Sequence, residues 1–311
     1  MNLKLYLPLY CLLLITIGCS TKQTAVQDTV TAPPVMEKKE QPKSLLWEIN
    51  GNGLSEPSYL FGTIHMIKGE DFFLPEGTLS AIDQSSKLVF ELDMEEMTNP
   101  AKLMGVLEKA YMKGDTTLSD LLTEEDYALV KSHFQEKGLP LFFLERIKPM
   151  FLTVFASDEF DPSSLESGGL KSYELEFAEM AKDGNKSTGG LETVDYQISV
   201  FDAIPYQDQA DMLIEAIKAS SSEEDSLEGL VKLYKEQDIY GLYDMMKQDE
   251  SIGEFEDVLL NQRNKNWIPL MKDEMMNQQT FFAVGAGHLG GKYGVIQLLR
   301  DAGYELSPKS N

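Results

Sequence analysis

The chain of 311 residues has three histidines, and two of them close the same four-residue pattern near its opposite ends: Gly62-Thr63-Ile64-His65 and Gly285-Ala286-Gly287-His288. Each pattern follows a short apolar run, Tyr59-Leu60-Phe61 in one case and Thr280 to Val284 in the other. Neutral imidazoles are common ligands for zinc, manganese, cobalt or iron, and a carboxylate usually completes such a set. Glu91 is the natural third member of a site with His65 and His288, because it interrupts the apolar run Lys87 to Asp93, where a buried acid must find a cation or a proton. Glu192, at the end of a later short strand, is a fourth candidate. Arg263 and Asn264 precede Trp267 by one helical turn, and such a guanidinium can stabilise charge developing on a carbonyl oxygen. His133, between Lys131 and Glu136 on a helix, reads as a surface residue.

Other chemistries lack their residues. There is no G-x-S-x-G elbow and no H-E-x-x-H, and beyond Cys19 the chain has no cysteine to act as nucleophile or to form an internal disulfide. A hydrolytic site here would use a water activated by a metal or a carboxylate; a metal brings the pKa of that water to roughly 7. The run Gly285-Ala286-Gly287-His288-Leu289-Gly290 matches the dinucleotide fingerprint G-x-G-x-x-G, with Glu305 further on. His288 stands where a pyrophosphate would approach, so no nucleotide cofactor is expected.

These residues need elements to position them. An apolar run ending in glycine and then histidine reads as a buried strand, a tight turn and an imidazole at the strand's carboxyl end, where open α/β sheets place their sites. The two imidazoles can meet only if their strands share one sheet. Leu45 to Ile49 and Ser58 to Gly62 read as a hairpin around Gly51-Asn52-Gly53, and Lys87 to Asp93 as a third strand expected beside that of His65. Thr117 to Glu136, Leu139 to Phe155 and Leu170 to Lys182 read as helices, with further helices up to Asn277. Thr280 to Val284, Lys292 to Asp301 and Tyr304 to Leu306 form a βαβ unit, which implies a parallel pair. The expected fold is α/β: a mixed sheet built from both ends of the chain, with a large helical insertion between.

Lys4 followed by the apolar stretch Leu5 to Ile17 and Gly18-Cys19-Ser20 reads as a bacterial lipoprotein signal, with Cys19 as the lipidated residue. Such a stretch is too short to span a bilayer core of roughly 30 Å. Residues 1–19 are therefore expected to be a signal, 20–44 a flexible tether and 45–311 the folded domain, lipid-anchored to a membrane of the cell envelope. With 51 acidic against 27 basic residues and a net charge of −24, the surface repels phosphate backbones and nucleic acid is not an expected partner.

Taken in order, Leu60-Phe61-Gly62-Thr63-Ile64-His65, Phe90-Glu91-Leu92-Asp93, Leu191-Glu192-Thr193 with Gln197, Arg263-Asn264 with Trp267, and Val284 to Leu289 resemble the TraB/PrgY/GumN family, close to its bacterial YbaP-like GumN branch. Lys148-Pro149 agrees with a family Lys-Pro-Trp in which Met150 replaces the tryptophan, and Glu174 with an acid usual on its helix. The resemblance implies a fold like that of ChaN and the erythromycin esterases, and kinship with the animal Tiki proteins, metal-dependent proteases that need both Gly-x-x-His motifs. By position it implies His65 and His288 as ligands of a divalent metal (Mn, Co or Zn), with Glu91 beside them. The expectation is then a metal-dependent hydrolase, a peptidase acting on a peptide or protein. Glu192 would be its fourth ligand or general base, and Arg263 with Asn264 would face the oxyanion. The alternative is a lipoprotein that sequesters a peptide or a haem-like ligand without turnover.

Overall fold

The structure is a computed structural model that describes residues 41–309, except 95–104, 106–107, 154–155, 157–168, 222–225 and 249–252. The signal segment with Cys19, and most of the tether, lie outside the described residues. The last tether residues are docked: Ser44 is buried and donates to the Leu46 carbonyl, and Lys43 pairs with Asp238.

Six strands make one mixed sheet: β1 (Leu46–Gly51), β2 (Ser58–Thr63), β4 (Lys87–Leu92), β6 (Ser187–Glu192), β7 (Thr280–Gly285) and β8 (Tyr304–Pro308), in the order β6-β4-β7-β2-β1-β8. A two-stranded ribbon joins β3 (Ile67–Lys68) to β5 (Leu170–Lys171). The hairpin expected from Gly51-Asn52-Gly53 forms, and all three turn residues take positive φ, which favours glycine and asparagine. At the centre β4, β7 and β2 run parallel, so their carboxyl ends share one edge. Those strands are near-continuous in apolar residues because helices cover both faces. Phe61 meets Phe177 edge-on at 5.1 Å and stacks with Phe281 at 6.0 Å. Each buried ring of this kind contributes about 1.5–3 kcal/mol.

Two expectations about the sheet are corrected. The strand of Glu91 is not beside that of His65, since β7 lies between β4 and β2. The closing unit, β7 with helix Val295–Asp301 and β8, is parallel in direction but not a pair, because β2 and β1 separate its strands. Neighbour choice depends on which strand edges remain after the hairpin has formed, and local sequence pattern does not encode that.

The insertion contains α1 (Glu124–Glu136), α2 (Pro149–Thr153), α3 (Tyr173–Asp183), α4 (Val194–Phe201), α5 (Tyr206–Ser221), α6 (Ser226–Lys235) and α7 (Ile239–Gln248). Part of it has its own core, in which Val130, Phe134, Leu152 and Leu213 pack together. Here too the sequence reading needs correction. The single helix expected from Thr117 breaks after Leu121, because the Thr123 hydroxyl accepts from the Asp126 amide and caps a new start. The run Leu139 to Phe155 divides into a 3-10 turn, Leu141–Phe143, and α2, which begins at Pro149, where a missing N–H costs nothing. Leu170 and Lys171 form β5, and helix α3 starts only after its Ser172 cap. His133, expected at the surface, is buried and edge-on to Phe134.

Candidate functional site

The carboxyl edge of the parallel strands gathers most of the expected residues. β7 ends at Gly285, and a 3-10 turn, Ala286–His288, folds the second histidine back beneath the sheet edge. A Cβ on Gly62 would stand 3.1 Å from Ala286, so glycine there lets the end of β2 lie against this turn. A Cβ on Gly285 would stand 3.2 Å from Glu91 Oε1, which instead accepts from the Gly285 amide at 2.8 Å. The other glycines of the run are packed by protein: the Met246 thioether occupies the space that a side chain at Gly287 would need, and Tyr243 crowds Gly290.

Helix α8 (Gln262–Asn277) supplies the opposite wall. A π-helical turn, Asp257–Asn261, precedes it, and such turns recur at functional sites. Arg263 and Asn264 each lie one turn before Trp267, and all three are buried. The Asn264 amide donates from Nδ2 to the carbonyls of His288 and Tyr293, which leaves Oδ1 as an acceptor. His288 Nδ1, at 2.6 Å, therefore carries the proton and donates to Asn264 Oδ1, and His288 Nε2 keeps its electron pair. Burial pushes the His288 pKa down to about 3, so the ring is neutral.

Arg263 is saturated. Its Nε donates to Glu192 at 2.9 Å, Nη2 to Glu91 Oε2 at 2.6 Å and to Glu192 Oε2 at 2.9 Å, and Nη1 to the Leu259 carbonyl at 3.0 Å and to His288 Nε2 at 3.2 Å. All five N–H donors of a guanidinium are thereby used. Glu192 also accepts from the Trp267 indole at 2.9 Å, and its side chain is 2% exposed. Burial opposes ionisation of Glu91. Next in weight come His288, which is protonated only at such low pH, and the Arg263 guanidinium; with His65 and the Gly285 amide they hold the Glu91 carboxyl at about 2.

His65 sits at the rim, with its side chain 74% exposed. Its Nδ1 lies 3.1 Å from Glu174 Oε1; a carboxylate only accepts, so Nδ1 is the donor there. Thr63 Oγ1 donates to the same oxygen at 2.7 Å and Ser172 Oγ to the other at 3.0 Å, which fixes Glu174. That hydrogen bond raises the His65 pKa above that of a free imidazole, and water screens the pair. Sequence reading set Glu174 aside as a minor family agreement; its signal was an acid in the first turn of a capped helix, which says nothing about a partner over a hundred residues away.

His65 and His288 line one cavity of about 620 Å³ with Arg263 and the Gly285–Gly287 turn. The insertion supplies its far wall, where Met150, Met212 and Met246 come from three different helices. Sequence reading missed these methionines, since single apolar residues on helices carry no sign that they will converge.

The donors can be tested against a divalent ion. Both imidazoles have an oxygen behind Nδ1, Glu174 for His65 and Asn264 for His288, which is how metal-ligating histidines are usually oriented. The buried group also holds two carboxylates against one guanidinium and a neutral ring, leaving net negative charge behind the cavity wall that Arg263 and His288 form. In both respects the residues fit a cation. Glu91 Oε1 lies 3.8 Å from His288 Nε2, while Arg263 stands at Oε2. Among the described residues, no group of three or more His, Cys, Asp or Glu is drawn together as for an ion.

The chain is 24% identical to the metalloprotease TIKI1 of Danio rerio, over 85% of its own length and 62% of that protein's. It is also 24% identical to the metalloprotease TIKI2 of Xenopus tropicalis (87% and 60%) and to human metalloprotease TIKI1 (85% and 61%). It thus spans about three-fifths of the length of the curated relatives it matches. No solved structure matches it. The model of the TraB/PrgY/gumN family matches residues 45–308, nearly all of the described fold, and the chain belongs to that family.

Proposed function

We propose that this protein is a metal-dependent peptidase of the cell envelope, held to a membrane by a lipid on Cys19. The observation that carries the catalytic reading is the shared cavity lined by both imidazoles, each with Nδ1 tied to a side-chain oxygen so that Nε2 would be the ligating atom. His65 and His288 would hold a Mn, Co or Zn ion, with Glu91 alongside. When bound, such an ion supplies a water of lowered pKa and polarises the scissile carbonyl.

The chain's own residues do the rest. Asn264 holds His288 in the tautomer that binds, and Glu174 orients His65. The methionine wall excludes water and accepts an apolar side chain of the peptide, since unbranched thioethers adapt to varied shapes. Among the described residues no helix is long and apolar enough to cross a membrane, and membrane attachment in this reading comes from Cys19. Fatty-acid labelling that is lost in Cys19→Ala tests that part.

Metal analysis of the purified body beside its His65→Ala and His288→Ala variants tests the ligands. Equal metal content in all three would refute the assignment. A second reading draws on the saturated Arg263 and the locked Glu192: a protein that sequesters a peptide or haem-like ligand without cleaving it. It predicts saturable binding that survives Glu192→Gln, and no metal-dependent cleavage of any peptide library.

A further inference from the structure

We propose that Arg263 is the resident cation of the metal-free site and competes with a divalent ion for Glu91 and His288. This rests on the reading of His65 and His288 as a cation-binding pair and adds how loading of that pair is controlled.

The geometry of the guanidinium carries the inference. Nη2 lies 2.6 Å from Glu91 Oε2 and Nη1 3.2 Å from His288 Nε2, so one planar group serves a carboxylate and an imidazole lone pair together. Those are the two donors a metal would share, and a donor lone pair given to an N–H is not available to an ion. His288 is neutral and its other nitrogen is committed to Asn264, so Nε2 has no alternative use.

The remaining contacts show which bonds can be exchanged. Arg263 is anchored independently of Glu91 and His288: Nε and Nη2 both reach Glu192, Nη1 reaches the Leu259 carbonyl, and the guanidinium carbon lies 5.2 Å above the Trp267 ring. Trp267 in turn donates to Glu192. Arg263 can therefore release Glu91 and His288 and still keep a buried counter-ion, avoiding the cost of an unpaired buried charge. Without a metal, the same contacts keep Glu91 from standing as an unpaired buried charge. Arg263 is thus a positioning residue, and metal affinity reflects the difference between two cations for one set of donors.

The test is Zn²⁺ affinity by equilibrium dialysis on the folded protein, in the native chain and in Arg263→Met and Arg263→Gln. Gln keeps a hydrogen bond to Glu192 and serves if Met perturbs folding. Either variant, with a native far-ultraviolet spectrum, is expected to bind Zn²⁺ tighter by about tenfold or more, the size of effect typical of neighbours that tune ligands. Its melting temperature should also rise more with Zn²⁺ than that of the native chain. Equal or weaker binding by both variants, with Zn²⁺ still held by the native chain and lost in His288→Ala, overturns the competition while the ligand assignment stands. Absence of Zn²⁺ binding throughout overturns both. A measurement without any change at Arg263 completes the test. In Trp47→Phe, where Trp267 is the sole indole, Zn²⁺ is expected to shift the emission as the guanidinium over the ring turns from Glu91 and His288 while keeping Glu192; saturable binding with unchanged emission overturns the proposal.

Discussion

His288 Nδ1 lies 2.6 Å from Asn264 Oδ1, and the Asn264 amide is itself held the right way round by donating to the carbonyls of His288 and Tyr293. One side chain therefore fixes the ring, its tautomer and the turn that carries it. Asn264→Leu is expected to cut metal affinity about 10–100-fold, as loss of a ligand's orienting partner typically does. It should also destabilise the fold by about 1–3 kcal/mol, because buried carbonyls lose a donor. Dialysis and urea unfolding on the same preparations separate the two effects; unchanged metal affinity would remove Asn264 from the site.

Glu192 and Glu91 share Arg263 unequally. Glu192 takes Nε and Nη2 and the Trp267 indole, whereas Glu91 takes Nη2 and the Gly285 amide. Glu192→Ala is expected to cost about 3–5 kcal/mol, in the range for breaking a buried ion pair. Glu91→Gln should cost clearly less, since Arg263 keeps its larger partner. Denaturant midpoints decide the order, and a reversed order would show that Glu91 is the main counter-ion.

Acid should unfold the protein partly through His288. Its pKa is about 3 in the folded protein and 6.5 in an exposed chain, so between those values the unfolded state binds the extra proton. Stability is then full above about 6.5 and declines as pH falls toward 3. Glu91, at about 2 when folded against 4.5 free, adds a loss in the same direction below about 4.5. His288→Asn is expected to flatten the upper part of this profile, measured as the urea midpoint against pH. An unchanged slope from pH 6.5 to 5 would mean that His288 is not the titrating group.

Gly285→Ala probes the close approach of Glu91 to the end of β7. The added Cβ would lie 3.2 Å from Glu91 Oε1 and 3.6 Å from the His288 ring, so the carboxylate must shift from the Gly285 amide. A loss of about 1–3 kcal/mol is expected, together with weaker metal binding. Ala at exposed Gly53 is the control: nothing lies near a Cβ there, and only the positive φ opposes it. Metal affinity at the Gly53 variant should stay native.

Filling the methionine wall separates binding from chemistry. Ala216 lines the cavity from helix α5, and Ala216→Trp adds bulk there without altering either histidine. In a peptide-cleavage assay it should raise KM for substrates with large apolar side chains while metal content stays native. A fall in kcat alone, with KM unchanged, would place the peptide elsewhere.

Much of the fold could be read from local pattern. The hairpin, β4 and β7 follow from apolar runs closed by turn residues, and these are properties of a few adjacent residues. The insertion was less legible because its boundaries depend on caps: Thr123, Ser172 and Pro149 each start a helix inside what reads as a continuous run. The two histidine turns were legible for the same local reason as the strands. The partners of those histidines were not. Glu174 reaches His65 from a helix in the insertion, and β7 intervenes between the strands of His65 and Glu91.

By itself the sequence determined that two imidazoles stand at strand ends, that an acid lies inside a buried strand, and that an arginine, an asparagine and a tryptophan share one helical face. Each follows from backbone periodicity and glycine turns, which act over a few residues. Only the tertiary structure decided that Arg263 spends all its donors on Glu91, Glu192, His288 and Leu259, and that three helices of the insertion close a methionine-lined cavity over the site. Pairing among buried charges depends on which groups arrive together once water is excluded, and chain order does not encode that juxtaposition.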